Sequence, residues 1–177
     1  MNKFSRRKIT VKEELYIIVV KMIIGWSYLV YTFTYCAPRE GIRAGAGGEM
    51  SSDIYLTQRG YQPLHPRKTA LTHGWGETGI DGIFVKDGQY YIVEAKYTGT
   101  SALQNTNDGR QMSDPWIQAR NYERIRNAIE DESTVNEIIN QGYHRIIAKT
   151  APDGTIVYKL VDEFGYIILG NAGKFNP

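Results

Sequence analysis

Two carboxylates and a lysine stand out by their spacing. Asp81 lies in Gly79-Ile-Asp81-Gly82-Ile-Phe-Val-Lys86, and Glu94 and Lys96 lie in Gln89-Tyr-Tyr-Ile-Val-Glu94-Ala-Lys96. The Asp87-Gly88 pair between these runs favours a type I′ turn, so together they read as a β-hairpin. A two-residue loop sets Lys86 against Gln89, and the same register carried back sets Asp81 opposite Glu94. Paired residues share a face with Cβ atoms roughly 5 Å apart, and Lys96, two positions past Glu94, points the same way. Facing carboxylates repel unless a cation sits between them. The spacing therefore predicts a divalent-metal site with a lysine beside it. The plainer alternative is a solvated strand face, with Asp81 opening a turn. Against it stand the bulky runs Ile83-Phe-Val85 and Tyr90-Tyr-Ile-Val93, which place the hairpin within a sheet.

Asp81 followed by Glu94-Ala-Lys96 at the end of a second strand resembles the PD-(D/E)xK nuclease superfamily, the restriction-endonuclease-like fold. That family usually adds an acidic residue on a helix ahead of the hairpin. Here Ala44-Gly-Ala-Gly-Gly48-Glu49-Met-Ser-Ser-Asp-Ile-Tyr-Leu56 matches, with a Gly-rich lead and Glu49 early in a helix. Met50, Ile54, Tyr55 and Leu56 give that helix an apolar side, and Gly60 is its expected C′ stop. The resemblance implies that Glu49, Asp81 and Glu94 hold a divalent metal, while Lys96 orients or activates the attacking water. Mg²⁺ or Mn²⁺ suits the oxygen ligands best, with Zn²⁺ as the alternative.

The next segment, Asp108-Gly-Arg110-Gln111-Met-Ser-Asp114-Pro-Trp116-Ile, is similar to nuclease modules at the C-termini of bacterial polymorphic toxins. These include contact-dependent growth inhibition and Rhs-type effectors. The resemblance spans roughly residues 42–160. It implies hydrolysis of phosphodiester bonds in DNA or tRNA, DNA slightly favoured, by a toxin secreted or delivered into the target-cell cytoplasm. It also implies a cognate immunity protein covering the site, and Arg110 and Gln111 as nucleic-acid contacts. The junction motif that separates such toxins from a long carrier is not seen, and the chain opens on Met1, which reads as a stand-alone toxin.

The electrostatics are uneven. The net charge is +2; residues 1–40 carry seven Lys/Arg against three Asp/Glu, and residues 41–177 carry fourteen against sixteen. The expected catalytic body is thus not basic, and long-range attraction to nucleic acid is weak there. One cysteine, Cys36, excludes an internal disulfide and a cysteine-based zinc cluster. Residues 1–40 read as a separate basic and hydrophobic segment. Leu15–Ala37 holds a single charge, Lys21, and is long enough to cross a bilayer. The lysine's cost of about 3 kcal/mol at a helix centre opposes that. Membrane association, a soluble hydrophobic arm and a non-native upstream translation all remain open for it.

The elements expected after it must position the site. Pro38–Gly48 reads as a linker, 41–177 as one domain, and Tyr61–Gly79 as mostly loop, with His65 and His73 as ordinary loop residues in preference to metal ligands and Trp75 as packing in preference to base stacking. Tyr97–Gly109 reads as a flexible loop, and Asp114-Pro115 as the start of a helix burying Tyr122, Ile125 and Ile129. Arg120 and Arg124 share a side of it at i, i+4, either paired with Glu123 and Asp131 or contacting phosphate. Ser133-Thr134 opens a shorter helix ending near Gly142. His144–Thr150 and Thr155–Val161 then form strands, with His144 structural. The expected architecture is α/β, a mixed central β-sheet flanked by helices with a restriction-endonuclease-like core. Two further readings stay open: a nuclease fold kept only for binding, and a membrane-anchored interaction protein working through residues 15–37.

Overall fold

The structure, a computed structural model, describes residues 40–67, 79–97 and 102–177. The hydrophobic segment 15–37, His73 and Trp75 lie outside the described residues. Among those described, no helix is long and apolar enough to cross a membrane. The chain partitions after Pro38, and everything described below belongs to the unit 39–177.

In chain order the elements are α1 (Glu40–Gln58), β1 (Gln62–Pro63), β2 (Gly82–Lys86), β3 (Gln89–Tyr97), β4 (Asn105–Thr106), β5 (Gly109–Arg110), α2 (Asp114–Ala128), α3 (Glu132–Gln141), β6 (His144–Thr150), β7 (Ile156–Leu160) and β8 (Lys174–Phe175). Six strands form one sheet in the order β1-β2-β3-β6-β7-β8, with β3 and β6 parallel and the other pairs antiparallel. The protein is α/β with a mixed sheet. Alternation along the strands divides the core between the two faces. Phe84, Val93, Ile146 and Ala148 pack with Leu56 of α1 on one side. On the other, Ile83, Ile92 and Ile147 pack with Trp116, Ile117 and Ile125 of α2 and with Val135 and Ile138 of α3. The parallel β3–β6 pair requires a crossover, and α2 and α3 supply it.

The hairpin has the expected register, Lys86 facing Gln89 and Gly82 facing Val93. Its turn has positive φ at Asp87 (51°) and Gly88 (72°), as a type I′ turn demands. Gly60, at φ 85°, follows α1 as expected.

Helix α1 differs from expectation at its start. The glycine-rich stretch is helical, not a linker, and Glu49 therefore sits at mid-helix. Each interior glycine costs about 1 kcal/mol of helix propensity. At Gly48 an added Cβ would make ordinary contacts, 3.6 Å from Thr150 Oγ1 and 3.9 Å from the Tyr97 nitrogen, so the helix runs close against β3 and β6 there. The apolar side is also different, since Ile54 is exposed while Ala46, Ser52, Asp53 and Leu56 are buried. The helix lies on the sheet by Leu56 together with the small and polar residues Ala46, Ser52 and Asp53.

Helix α2 is kinked. Ala119 is extended and Arg120, Asn121 and Tyr122 have left-handed backbone, so Arg120 and Arg124 do not share a regular helical side. Its N-cap is Ser113, whose hydroxyl accepts from the Trp116 N–H, with Asp114 in the first turn. Helix α3 is capped by Asp131, which accepts from the Thr134 N–H and hydroxyl and is thereby engaged away from the arginines. Part of the expected loop 97–109 is a small hairpin, β4–β5. His144 is structural as expected, bonded to Gln89 at 2.8 Å and stacked on Tyr91.

Candidate active site

Asp81, Glu94, Lys96 and Glu49 come together where β2 begins beside the C-terminal half of β3 and α1 packs on the sheet. Pairing of the hairpin stops at Gly82–Val93, one step short of Asp81 and Glu94. Ala95, two residues past Val93, directs its N–H toward the same strand. Asp81 Oδ2 accepts that N–H at 2.8 Å, standing in for the missing backbone partner. Asp81 is thus held by the strand that carries Glu94 and Lys96, and its carboxylate is oriented before any ligand arrives.

The electrostatics are those of crowded acids. Burial raises the Asp81 carboxyl well above the usual carboxylate range, and the charges of Glu94 and Glu49 raise it further. The Ala95 hydrogen bond and Lys96 only partly oppose them. Glu94 is 2% exposed and accepts a hydrogen bond from Lys96 Nζ. Burial pulls the Lys96 ammonium down, but the Glu94 charge and hydrogen bond, with Asp81 and Glu49 beyond, leave it raised. Lys96 is therefore a firmly protonated counter-ion in this arrangement.

A cleft beside the cluster is lined by Glu49, Ser52, Asp53, His65, Asp81 and Gly82, over a floor of sheet residues. Asp53 was not singled out from sequence, although its i, i+4 spacing from Glu49 puts both on one side of a helix. It is 8% exposed; Oδ2 accepts from Arg67 Nε at 2.5 Å, and Oδ1 is buried without a hydrogen-bond partner. His65 has a defined place. Its Nδ1 lies 3.0 Å from both the nitrogen and the oxygen of Ile83, and the Leu64 N–H already donates to that oxygen at 2.8 Å. The tautomer that satisfies every group has Nδ1 accepting from the Ile83 N–H and hydrogen on Nε2. Gly82 is required here, because a Cβ would stand 2.8 Å from Phe84 Cε2 and 3.2 Å from His65 Cε1.

The four residues expected to contact nucleic acid have other partners. Arg110 donates through Nε to the Gly165 carbonyl at 2.8 Å and covers the Tyr166 ring. Gln111 Oε1 accepts from the Gln104 N–H at 2.9 Å. Arg124 donates to the Trp116 carbonyl and to Asp108, both at 2.6 Å, while its guanidinium lies over the Trp116 ring. Arg120 pairs with Glu123 at 3.1 Å and reaches Asp108 at 3.7 Å. Arg120 thus follows the solvated-pair reading, and Arg124 ties β4–β5 to α2 through Asp108 instead of Asp131.

For a metal, the donor chemistry is that of a hard cation: three carboxylates, one raised by the charges of the others. Among the described residues, no group of three His, Cys, Asp or Glu side chains is arranged to hold a metal ion. The Lys96–Glu94 ion pair supplies the positive charge in this arrangement. The residues fit a divalent cation in kind, and a Glu94 carboxylate paired with Lys96 through Oε1 is compatible with metal ligation. Comparison of the chain with protein-family models, curated proteins and solved structures finds no match.

Proposed function

We propose that the chain is a metal-dependent endonuclease with a restriction-endonuclease-like core, acting on DNA or tRNA as an antibacterial toxin. The observation that carries this reading is the grouping of Glu49, Asp81 and Glu94 around one strand end with Lys96, four residues from three elements. A sheet kept for stability alone gains nothing from crowding acids whose mutual charge raises Asp81, so a ligand of opposite charge is the simplest account. A bound divalent cation would polarise the scissile phosphate and lower the pKa of water. The chain's own residues do the rest. Asp81, oriented by Ala95, and Glu94 and Glu49 hold the cation. Lys96, beside them, would orient the attacking water or stabilise charge developing on the phosphate. A cognate immunity protein that masks the cleft belongs to the same proposal.

A second reading, a nuclease-like fold retained only for binding, draws support from the Lys96–Glu94 pair, which satisfies the lysine without any metal. Cleavage separates the two. The full chain is incubated with plasmid DNA and with total tRNA in Mg²⁺, Mn²⁺ or Zn²⁺, beside Asp81→Asn and Lys96→Ala. Metal-dependent cutting that both substitutions abolish supports the nuclease. Equal cutting by the variants, or none by folded wild type with any metal, refutes it.

A further inference from the structure

A phosphodiester approaching this cleft meets Glu49, Asp53 and Asp81, and a metal ion alone leaves much of that negative charge in place. The arginines nearest in sequence to the toxin-like segment are engaged by Gly165, Glu123, Asp108 and Trp116. Arg67 is different: it is joined directly to the cleft wall. Its Nε donates to Asp53 at 2.5 Å, and its side chain is 42% exposed against 11% for Asp53, so it stands between that carboxylate and solvent.

The chain delivers Arg67 to this place. Gln62 and Pro63 pair with Val85 and Phe84, the Leu64 N–H donates to Ile83, and the His65 ring accepts from the same residue. Everything up to His65 is therefore clamped to β2, and Pro66, with its restricted φ, is the single residue between that clamp and Arg67. The guanidinium is held at Nε by Asp53 of α1. A surface ion pair does not require its carboxylate to be buried in mid-helix with one oxygen lacking a hydrogen bond. That arrangement costs stability, and it is accounted for if Asp53 faces a hydrated or liganded cleft.

We propose that Arg67, paired with the cleft wall through Asp53, binds phosphate at the edge of this cleft and that Asp53 is its positioning residue. This rests on the nuclease reading for the identity of the substrate, but the anion site is defined by its own geometry. Holding Nε leaves the terminal amino groups to form the paired hydrogen bonds that suit two phosphate oxygens. Because Asp53 fixes the fork, less side-chain freedom is lost on binding.

The test uses the full chain, ¹⁵N-labelled, titrated with inorganic phosphate while the arginine Nε–H signals are followed, with Arg67→Lys assigning the resonance. The Arg67 signal is expected to shift saturably, and Asp53→Asn, nearly isosteric, to weaken the apparent phosphate Kd about tenfold, the scale of one charge-assisted hydrogen bond. On a substrate that the wild type cuts, Arg67→Ala is expected to raise KM about tenfold with little change in kcat, and Arg67→Lys to recover part of it. An Arg67 signal unmoved by phosphate, or an unchanged Kd in Asp53→Asn, overturns the proposal. Cutting by a wild type whose Arg67 ignores phosphate sinks the anion site alone. A phosphate-responsive Arg67 in a protein that cuts nothing sinks the nuclease reading alone.

Discussion

Replacing Asp81 by Asn and by Ala should move stability in opposite directions. Asp81 does two separable things in the metal-free protein: its Oδ2 accepts the Ala95 N–H, and its charge is crowded by Glu94 and Glu49. Asparagine keeps an acceptor for Ala95 and removes the charge. Lys96 attracts the same carboxylate and offsets part of the repulsion, so the expected gain is about 1 kcal/mol at an effective dielectric of roughly 20. Alanine removes both, leaving the Ala95 N–H without its acceptor, a cost of about 2 kcal/mol. For a chain of this size 1 kcal/mol is worth about 3 °C, so Asn should melt roughly 6 °C above Ala in EDTA at neutral pH, with wild type between them. The pH dependence has a definite sign. A carboxyl raised in the folded state binds more protons there than in the unfolded chain, so stability falls as pH rises above the ordinary value of 3.8. The advantage of Asn should therefore vanish in acid. Saturating Mn²⁺ should reverse the order, since ligand at 100 times its Kd stabilises the wild type alone by about 2.7 kcal/mol. Thermal melts of the full-length variants with EDTA and with Mn²⁺ decide it. An Asn variant that melts with Ala, below wild type in EDTA, would refute the account of a charge-crowded site.

Four further outcomes follow from other contacts. Lys96→Gln leaves Glu94 buried without its ammonium and should cost about 3 kcal/mol in EDTA, partly restored by Mn²⁺ in calorimetric melts, while cleavage falls at least 100-fold. Gly82→Ala should destabilise by about 2 kcal/mol because its methyl overlaps Phe84; a denaturant midpoint equal to wild type would contradict that close approach. Arg124→Lys should lower the melting temperature by loosening Asp108 and the Trp116 carbonyl, yet leave oligonucleotide affinity unchanged in anisotropy titrations. Burial pushes Tyr61, Tyr143 and Tyr158 up to about 12, so ultraviolet titration should show late-ionising phenols; because the folded state keeps these protons longer, stability should fall as pH rises past about 10.

The hairpin that carries Asp81, Glu94 and Lys96 was legible from sequence alone, because its determinants are local. Asp87-Gly88 selects the turn, a two-residue loop sets the register, and alternation assigns the faces. The same holds for β6 and for Gly60 after α1. What the sequence left undecided depends on contacts between distant segments. The glycines before Glu49 look like a linker until Thr150 and Tyr97 are seen against Gly48. Asp53 looks like a surface helix residue until α1 settles on the sheet by its polar side and Arg67 arrives from β1. Arg110 of the toxin-like segment and Arg124 of the helix after it look available for phosphate until Gly165, Asp108 and Trp116 engage them. Sequence determined which residues could do chemistry at the strand end, since strand period and turn geometry act over a few residues. Tertiary structure decided which charges face one another there, since partner choice depends on how helices and strands far apart in the chain approach.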